Sequence, residues 1–276
     1  MLLFPNCKIN LGLNIVGKRE DGYHNLESAF LPVALQDALE IIPSRNSSPP
    51  VTFTCTGLAV EGEPTTNLCI KAYNLLKQHF PQLPSITMHL HKAIPMGAGL
   101  GGGSADGAFT LLLLNKKFRL GIAEEQLIQF ALGLGSDCPF FIINKPGFAT
   151  GRGEQLQPIS LPLSGSSILL VNPGIHIPTG WAFSRITPSQ PAKSIKTIIA
   201  QPLSTWKDEL VNDFEAPVLA AHPQLQSIKQ QLYHTGALYA SMSGSGSTFY
   251  GIFSQPITIP PGTFPSTYFV KQVQLP

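Results

Sequence analysis

Residues 95–107 read PMGAGLGGGSADG, and an apolar stretch of helical character, Ala108 to Leu114, follows them directly. Glycine lacks a Cβ atom, so a chain this rich in glycine can turn several backbone N–H groups toward one point and let a ligand come close. A helix that begins here adds the unpaired N–H groups of its first turn and the positive end of its dipole. The stretch therefore predicts a site for an anion, and for phosphate groups in particular.

Three well-known phosphate loops do not fit these residues. A P-loop requires a lysine where Gly103 stands. The pattern GxGxxG occurs at residues 97–102, but a dinucleotide fold also requires an acidic residue about 20 positions later, at the end of a second strand. Glu124 and Glu125 are instead expected to open a helix, and the HRD and DFG motifs of protein kinases are absent from the sequence. A flexible linker is disfavoured because an alternating strand and a leucine-rich helix frame the glycines.

Composition limits the class of protein. The chain has 276 residues, of which 43% are hydrophobic and only 12% charged, so it can bury a substantial core as one large domain or two fused lobes. A net charge of +2 without a basic run gives no reason to expect nucleic acid or a membrane as partner. Four widely spaced cysteines indicate reduced thiols, and neither a signal peptide nor an 18-residue apolar run is visible. We therefore expect a soluble, cytoplasmic protein.

Patterning before the glycines predicts both strands and helices. Residues 5–13 alternate as in a strand, with Lys8 and Asn10 on one face, and such a polar pair alone indicates a solvent-facing edge. Asp21-Gly22 predicts a hairpin turn, and the Tyr23-His24 pair beyond it suits packing. The pattern also predicts strands at 28–42, 51–56 and 86–90 and a helix at 67–80.

Two further motifs near the glycines have ordinary interpretations when taken alone. His89 and His91 alternate on the preceding strand, but two histidines without a third ligand are weak evidence for a metal. Residues 135–141 read GSDCPFF and predict a turn, with Asp137 as a turn residue, that leads into an apolar strand. Between the two motifs, a helix is predicted at 122–134.

The second half of the chain predicts an α/β pattern with more loops. Residues 187–205 are rich in Pro, Ser and Lys and predict a surface excursion. Residues 243–247 read SGSGS, which permits close backbone approach but commonly marks a plain hairpin turn. Predicted elements are strands at 168–172 and 268–273, two strands joined by a turn within 239–253, and helices at 181–183, 210–214 and 225–234. The change in composition places a lobe boundary at about residue 155.

The pattern PxxxGLGGGS from Pro95 resembles the phosphate loop of the GHMP kinases, which act on galactose, homoserine, mevalonate and phosphomevalonate. Within this superfamily, the chain resembles the family of 4-diphosphocytidyl-2-C-methyl-D-erythritol kinases. The matching motifs are KINL at 8–11, GYHNL at 22–26, GSDCPF at 135–140, PG at 173–174 with IPT at 177–179, and SGSG at 243–246. The GYH element is the most specific, and the matches extend from residue 5 to about 250. Modest departures occur at Ala105, Gly107 and Ser136.

The resemblance implies an α+β, two-lobed GHMP-kinase fold, with ATP and substrate meeting in the cleft. Residues 1–155 would form the N-terminal ATP-binding lobe, similar to domain 2 of ribosomal protein S5, and residues 156–276 a ferredoxin-like α/β sandwich. The implied activity is transfer of the γ-phosphoryl group of ATP, with Mg²⁺, to the tertiary 2-hydroxyl of 4-diphosphocytidyl-2-C-methyl-D-erythritol in the non-mevalonate isoprenoid pathway. A GHMP kinase for homoserine or mevalonate is the alternative, and a non-catalytic nucleotide-binding module is a third hypothesis. The sequence leaves the oligomeric state undetermined.

The resemblance also assigns roles to individual residues. Asp137 matches the proposed catalytic base, and Lys8 would keep it ionised and stabilise the transferring phosphoryl group. Ser104 is a candidate Mg²⁺ contact, and Asp106 another, although an acid in a helix's first turn commonly just complements the dipole. The ATP-binding set is Pro95, Gly97, Gly99, Leu100, Gly101, Gly102, Gly103, Ser104 and Asn115, the last near the adenine or simply a helix cap. The substrate-binding set is Asn10, Tyr23, His24, Thr179, Phe183, Ser245 and Gly246, with Tyr23 and Phe183 sandwiching the cytosine and His24 contacting its polar edge.

Overall fold

The computed structural model describes residues 1–45, 48–59 and 66–276. Its strands are β1 (Leu2–Leu3), β2 (Asn6–Lys18), β3 (His24–Gln36), β4 (Ala38–Pro43), β5 (Val51–Gly57), β6 (Ile86–Lys92), β7 (Gly147–Thr150), β8 (Gln155–Pro158), β9 (Ser167–Asn172), β10 (Tyr239–Met242), β11 (Phe249–Phe253) and β12 (Phe269–Gln274). Its helices are α1 (Leu68–His79), α2 (Gly102–Phe118), α3 (Glu124–Leu134), α4 (Cys138–Ile143), α5 (Thr179–Ser184), α6 (Ile195–Ile199), α7 (Trp206–Glu209), α8 (Glu215–Ala221) and α9 (Gln226–His234). The predicted α+β class is confirmed.

These elements form two compact units, each assembled from several stretches of chain. The first contains Met1–Cys7, Leu35–Met96 and Gly101–Lys145, and the second contains Lys8–Ala34, Gly97–Leu100 and Pro146–Pro276. The predicted lobe boundary near residue 155 divides the sequence once, whereas each of these units combines several stretches of chain. That boundary stays a prediction. None of the described helices combines the length and the apolar character needed to cross a membrane.

The first unit consists of a four-stranded sheet and a group of helices. The strand order is β1-β4-β6-β5, with β5 and β6 parallel and the other pairs antiparallel. Helix α2 packs against α1, α3 and α4. Asn67 caps α1 by accepting from the backbone N–H of Cys69, as expected for the predicted helix start. The predicted helix after the glycines is also confirmed, but it begins at Gly102 rather than at Ala108.

The second unit contains most of the sheet β2-β3-β7-β8 and the whole sheet β10-β11-β9-β12. The hairpin between β2 and β3 turns at Asp21-Gly22 as predicted, where Gly22 has a φ of 84°. In the second sheet, β9 lies between β11 and β12 and is buried along its whole length. A hydrophobic core includes apolar residues of this sheet and of α8 and α9.

Two stretches that were predicted as single strands have other structures. An apolar pattern alone shows neither where a strand ends nor whether a short apolar run is a strand or a helix. The predicted strand at 28–42 is interrupted at Asp37, so it forms β3 and β4. The predicted strand after Asp137 is helix α4 instead. The run CPFFII is entirely apolar, so its pattern does not distinguish a strand from a buried helix, and Pro139 suits a first helical turn because it needs no N–H partner there.

One prediction in the second unit is also wrong. Leu210–Phe214 is not helical: Leu210 is extended, Asn212 forms a parallel bridge with Leu13, and α8 begins only at Glu215. The side-chain amide of Asn212 donates to the backbone carbonyls of Met242 and Gly244. These tertiary hydrogen bonds favour the observed backbone over a helical turn. The predicted surface excursion at 187–205 is mostly exposed or half-buried, but it also contains helix α6, which buries three isoleucine side chains, those of Ile195, Ile198 and Ile199.

Candidate active site

Lys8 and Asn10 lie on strand β2 in the second unit, and their side chains are joined. The Lys8 Nζ donates to the Asn10 Oδ1 at 2.7 Å and lies 4.4 Å from the centroid of the Phe30 ring. Only 4% of Lys8 and 1% of Asn10 is exposed. The interpretation of this pair as a solvent-facing edge is therefore wrong, whereas their predicted position on one face of a strand is confirmed. Burying an ammonium group carries a desolvation cost, and functional sites tolerate such costs.

Asn10 is held in one orientation by its remaining contacts. Its Nδ2 donates to the Ser28 Oγ at 2.9 Å, and the Ser28 hydroxyl donates to the carbonyl of Gly12 at 2.6 Å. The backbone N–H of Asn10 donates to the Ser243 Oγ at 3.3 Å, and its carbonyl accepts from the Tyr250 hydroxyl at 2.7 Å. These contacts point the Asn10 Oδ1 at the ammonium of Lys8 and thereby preorganise a positive charge.

The part of the glycine loop in the second unit, Gly97–Leu100, is tied to neighbouring backbone. The backbone N–H of Lys8 donates to the carbonyl of Leu100 at 2.9 Å, and the Ser243 hydroxyl donates to that of Gly99 at 2.8 Å. Gly99 has a φ of 77°, and a Cβ atom placed on it would lie 2.0 Å from the carbonyl oxygen of Ser243. The loop therefore needs glycine at position 99 for conformation and for space.

The glycine loop enters helix α2 in the first unit through Gly101. Gly101 is the N-cap residue in a left-handed conformation, with a φ of 69°, and supplies no side-chain cap. The first turn is then Gly102, Gly103 and Ser104, whose backbone N–H groups have no acceptor within the helix, as in helix starts that bind anions. The geometry at the helix start suits the phosphate binding that the sequence predicts.

Asp106 does not lie in the first turn of α2, and its interpretation as a partner of the helix dipole is wrong. It is the fifth residue of the helix, it is buried, and its Oδ2 accepts from the Nζ of Lys92 at 2.7 Å. Burial raises the pKa of Asp106 to about 7, with the charge of Lys92 opposing and that of Asp37 adding to the rise. Burial alone would lower the pKa of Lys92, but the two carboxylates outweigh it and leave that pKa raised.

Ser104 and Asp137 are both in the first unit. Asp137 is half-buried and is the N-cap residue of α4, with no side-chain cap bond to the helix. The Ser104 hydroxyl interacts with the thiol of Cys138, and burial raises the pKa of that thiol to about 12, an increase that the Ser104 bond only partly offsets. Cys138 is therefore a neutral thiol at physiological pH, and Ser104 faces no negative charge from it.

Asn115 lies inside helix α2 rather than after it. Its Nδ2 donates to the carbonyl of Ile122 at 2.9 Å, and its Oδ1 accepts from the N–H of the same residue at 3.0 Å. Both polar ends of this side chain thus hold the connection between α2 and α3. The adenine contact that the resemblance implied stays a prediction, and a helix cap is not its role because α2 continues to Phe118.

The aromatic residues implied in cytosine binding lie in the second unit. The His24 ring stacks on Phe183, with centroids 4.9 Å apart and an angle of 19° between the planes, and Phe183 in turn meets the ring of Phe214 edge-on. Tyr23 is 53% exposed, and the guanidinium of Arg152 lies 4.7 Å from its ring centroid. A flat, partly open aromatic surface of this kind can stack against a base.

Two hydroxyl groups of the substrate-binding set are neighbours. Thr179, the first residue of α5, has its Oγ1 3.2 Å from the Oγ of Ser245. Gly246 follows, and a Cβ atom on it would lie 2.7 Å from the Sδ of Met242. The SGSGS stretch connects β10 to β11 as a turn, and it also presents a hydroxyl pair beside α5.

The two histidines on β6 share one hydroxyl. The His89 Nε2 and the His91 Nδ1 each lie 3.0 Å from the Oγ1 of Thr56. Across residues 1–45, 48–59 and 66–276, no group of three or more His, Cys, Asp or Glu side chains is arranged to hold a metal ion.

Comparison with known proteins identifies the family. The model of the N-terminal domain of GHMP kinases matches residues 67–145, and that of their C-terminal domain matches residues 194–258. A 4-diphosphocytidyl-2-C-methyl-D-erythritol kinase of Bacteroides fragilis is 53% identical over 92% of each chain, and one of Parabacteroides distasonis is 48% identical over the full length of both. The chain belongs to the 4-diphosphocytidyl-2-C-methyl-D-erythritol kinase family.

Solved structures agree with this assignment. The crystal structure of a 4-(cytidine 5'-diphospho)-2C-methyl-D-erythritol kinase superimposes with a TM-score of 0.77 at 31% identity, covering 93% of this chain and 91% of that one. A homoserine kinase from Cytophaga hutchinsonii has a TM-score of 0.64 at 16% identity, which shows the shared GHMP-kinase fold alone. The predicted resemblance and fold are confirmed, and the family implies ATP-dependent phosphorylation.

Several residues that shape the site were missed by sequence reasoning. Asn212 fixes the backbone on either side of Ser243, and Ser243 bonds both Asn10 and Gly99. Arg152 lies against Tyr23. Ser243 lies in the SGSGS stretch that was predicted as a turn, and Arg152 lies in the residues GRGE at 151–154. Their contacts to β2 and to the hairpin are long-range and leave no local pattern.

We expect Gly99→Ala to destabilise the protein by about 3 kcal/mol or more, because it combines backbone strain with a collision against the Ser243 carbonyl. Gly165→Ala is the matched control: its φ of 75° is nearly the same, but nothing lies within 4 Å of the added Cβ. That control measures strain alone, at about 1–2 kcal/mol. Urea denaturation of both variants checks the difference, and equal losses would show that Gly99 is needed for conformation only.

Proposed function

We propose that this protein transfers the γ-phosphoryl group of ATP to the 2-hydroxyl of 4-diphosphocytidyl-2-C-methyl-D-erythritol, giving the 2-phosphate in the non-mevalonate pathway of isoprenoid biosynthesis. The observation that carries the proposal is identity of about half over almost the full length with curated kinases of that name. The likeness to homoserine and mevalonate kinases is far weaker, at 11–18% identity. A kinase for another small alcohol is therefore disfavoured.

In this proposal, Asp137 accepts the proton of the attacking hydroxyl. Phosphoryl transfer depends mainly on position and on stabilisation of charge, so a base that only orients and deprotonates the hydroxyl is sufficient. Lys8 supplies a positive charge for the transferring phosphoryl oxygens, and its bond to Asn10 fixes where that charge lies. Asn10 orients the hydroxyl or a phosphate oxygen.

The glycine loop holds the phosphates of ATP through backbone N–H groups, with Pro95, Leu100 and the glycines setting its path. Mg²⁺ accompanies ATP, and in such sites most of its ligands are phosphate oxygens and water. The Ser104 hydroxyl is proposed as a protein ligand because it lies in the first turn of α2, next to the backbone N–H groups proposed to hold the phosphates. Asp106 does not fit, because its Oδ2 is bonded to Lys92 inside the first unit. We therefore assign the metal no carboxylate.

Recognition of the cytidine depends on aromatic surface. The exposed Tyr23 ring and the Phe183 ring are proposed to flank the cytosine, while His24, already packed on Phe183, contacts its polar edge. Thr179, Ser245 and Gly246 are proposed to contact the rest of the substrate. The guanidinium of Arg152 lies against Tyr23 and so brings a positive charge close to the ring that is proposed to contact the base.

The test measures ADP release with Mg-ATP and, in parallel, the cytidine substrate, homoserine, mevalonate or no acceptor, with the product identified by mass. We expect turnover with the cytidine substrate alone and competitive inhibition by CMP. Turnover with homoserine or mevalonate would leave the fold assignment intact and overturn the substrate. ATP binding without turnover on any acceptor would instead support a nucleotide-binding module.

A further inference from the structure

A buried cluster of three ionisable side chains lies beneath the glycine loop in the first unit. The Nζ of Lys92, the last residue of β6, donates to the Oδ2 of Asp37 and to the Oδ2 of Asp106. The side chains of Lys92 and Asp37 are fully buried, and that of Asp106 is 5% exposed. Removing charges from water is costly, and a cluster of this kind is weak evidence for added stability. The proposed mechanism does not use these groups.

Asp37 connects the cluster to the entrance of the glycine loop. Its Oδ1 accepts from the backbone N–H of Ala93 at 2.6 Å and from that of Ile94 at 2.9 Å. These are the two residues between β6 and Pro95. One carboxylate therefore fixes the direction in which the chain leaves the strand, and charge-assisted bonds to backbone N–H groups are about twice as strong as neutral ones.

Lys92 and Asp106 connect the cluster to the start of helix α2. Asp106 is one turn beyond Gly102, and its second oxygen, Oδ1, is buried without a hydrogen-bond partner among the described residues. A Cβ atom on Gly102 would lie 2.9 Å from the Cγ2 of Ile94 and 3.4 Å from the Nζ of Lys92. The first turn of α2 therefore lies against Ile94, whose backbone N–H is bonded to Asp37, and against the ammonium group of Lys92, which is bonded to both carboxylates.

We infer that Lys92, Asp37 and Asp106 are positioning residues for ATP, which set the two ends of the glycine loop that lie in the first unit, Ala93–Pro95 and the first turn of α2, in the geometry that receives phosphate. The inference deepens the proposed function and rests on it, since it takes the glycine loop as the ATP site. Its physical basis is preorganisation: a loop held rigid before binding loses less entropy when the nucleotide arrives. If the cluster were purely structural, its loss would lower stability without affecting the binding of ATP more than the binding of the cytidine substrate.

The experiment compares Asp37→Ala and Asp37→Asn with wild type. Alanine removes the acceptor of two backbone N–H groups, whereas asparagine keeps an acceptor oxygen but loses its charge. We expect the Kd for ATP, measured by calorimetry without acceptor, to rise about 10-fold or more in Asp37→Ala and about 3-fold in Asp37→Asn. The KM for ATP should follow the same order, while the KM for the cytidine substrate stays within about 2-fold.

Asp213→Ala is the matched control, because Asp213 also accepts from a backbone N–H, that of Ile15 at 2.7 Å, but in the second unit. It should lower the melting temperature and leave the Kd for ATP unchanged. A folded Asp37→Ala with wild-type ATP affinity, or equal rises in both KM values, would overturn the inference. If Asp37→Ala does not fold, an unchanged Kd for ATP in Asp37→Asn would overturn the inference. A failed substrate assignment would appear separately, as wild type that binds ATP but does not phosphorylate the cytidine compound.

Discussion

Asp137→Asn is expected to lower kcat by a factor of about 10²–10⁴ while the protein remains folded, because general-base catalysis typically contributes that much. Asparagine has nearly the shape of aspartate but cannot take up the hydroxyl proton. Asp137 makes no side-chain cap bond to α4, so the helix loses little by the change. The measurement is single-turnover phosphorylation of the cytidine substrate, together with thermal melting.

Binding measurements distinguish a catalytic role of Asp137 from a general effect of the substitution on the site. The Kd for ATP and the KM for the acceptor should stay within about 3-fold of wild type, since a lost proton acceptor affects the transition state most. Asp208→Asn is the matched control, because it also removes a carboxylate from the start of a helix, α7, outside the proposed site. A kcat within a factor of about 3 of wild type in Asp137→Asn would exclude Asp137 as the base.

The parts of this site that are local in sequence could be predicted from sequence. The glycine loop, the helix after it and the hairpin at Asp21-Gly22 follow from residue types at adjacent positions, and the structure confirms all three. Lys8 and Asn10 were correctly placed on one face of a strand. Their burial was not predicted, because the Phe30 ring beside Lys8 and the Ser243 hydroxyl bonded to Asn10 come from distant positions in the sequence.

The errors have the same physical origin. The apolar run at 138–143 has no periodicity, so the helix α4 depends on what surrounds it and not on its own pattern. Asp37 interrupts an apolar stretch, and its bonds to Lys92, Ala93 and Ile94, more than 50 residues away, explain a buried carboxylate there. Asp106 was visible as an acid near a helix start, but its partner Lys92 belongs to the preceding strand. Family resemblance supplied the candidate residues, and tertiary contacts supply their environment.

Lys8→Met is expected to lower kcat by a factor of about 10²–10³ and to lower the free energy of unfolding by about 1–3 kcal/mol. Methionine keeps the length of an apolar side chain beside the Phe30 ring but removes the ammonium group, and with it the positive charge proposed to stabilise the transferring phosphoryl oxygens. Removing one partner of a buried, bonded pair costs stability, because the other polar group is left unpaired. The Asn10 Oδ1 loses its donor, which sets the expected cost at about 1–3 kcal/mol.

Lys196→Met provides the matched control for this loss of charge. The Lys196 Nζ lies 5.8 Å from the centroid of the Phe148 ring, so the same kind of contact is removed, but at the surface. Its kcat should stay within about 2-fold of wild type. If Lys8→Met keeps more than a tenth of the wild-type kcat, the ammonium group is not a main source of transition-state stabilisation, and the buried Lys8–Asn10 pair serves to hold β2 against Ser28 and Ser243.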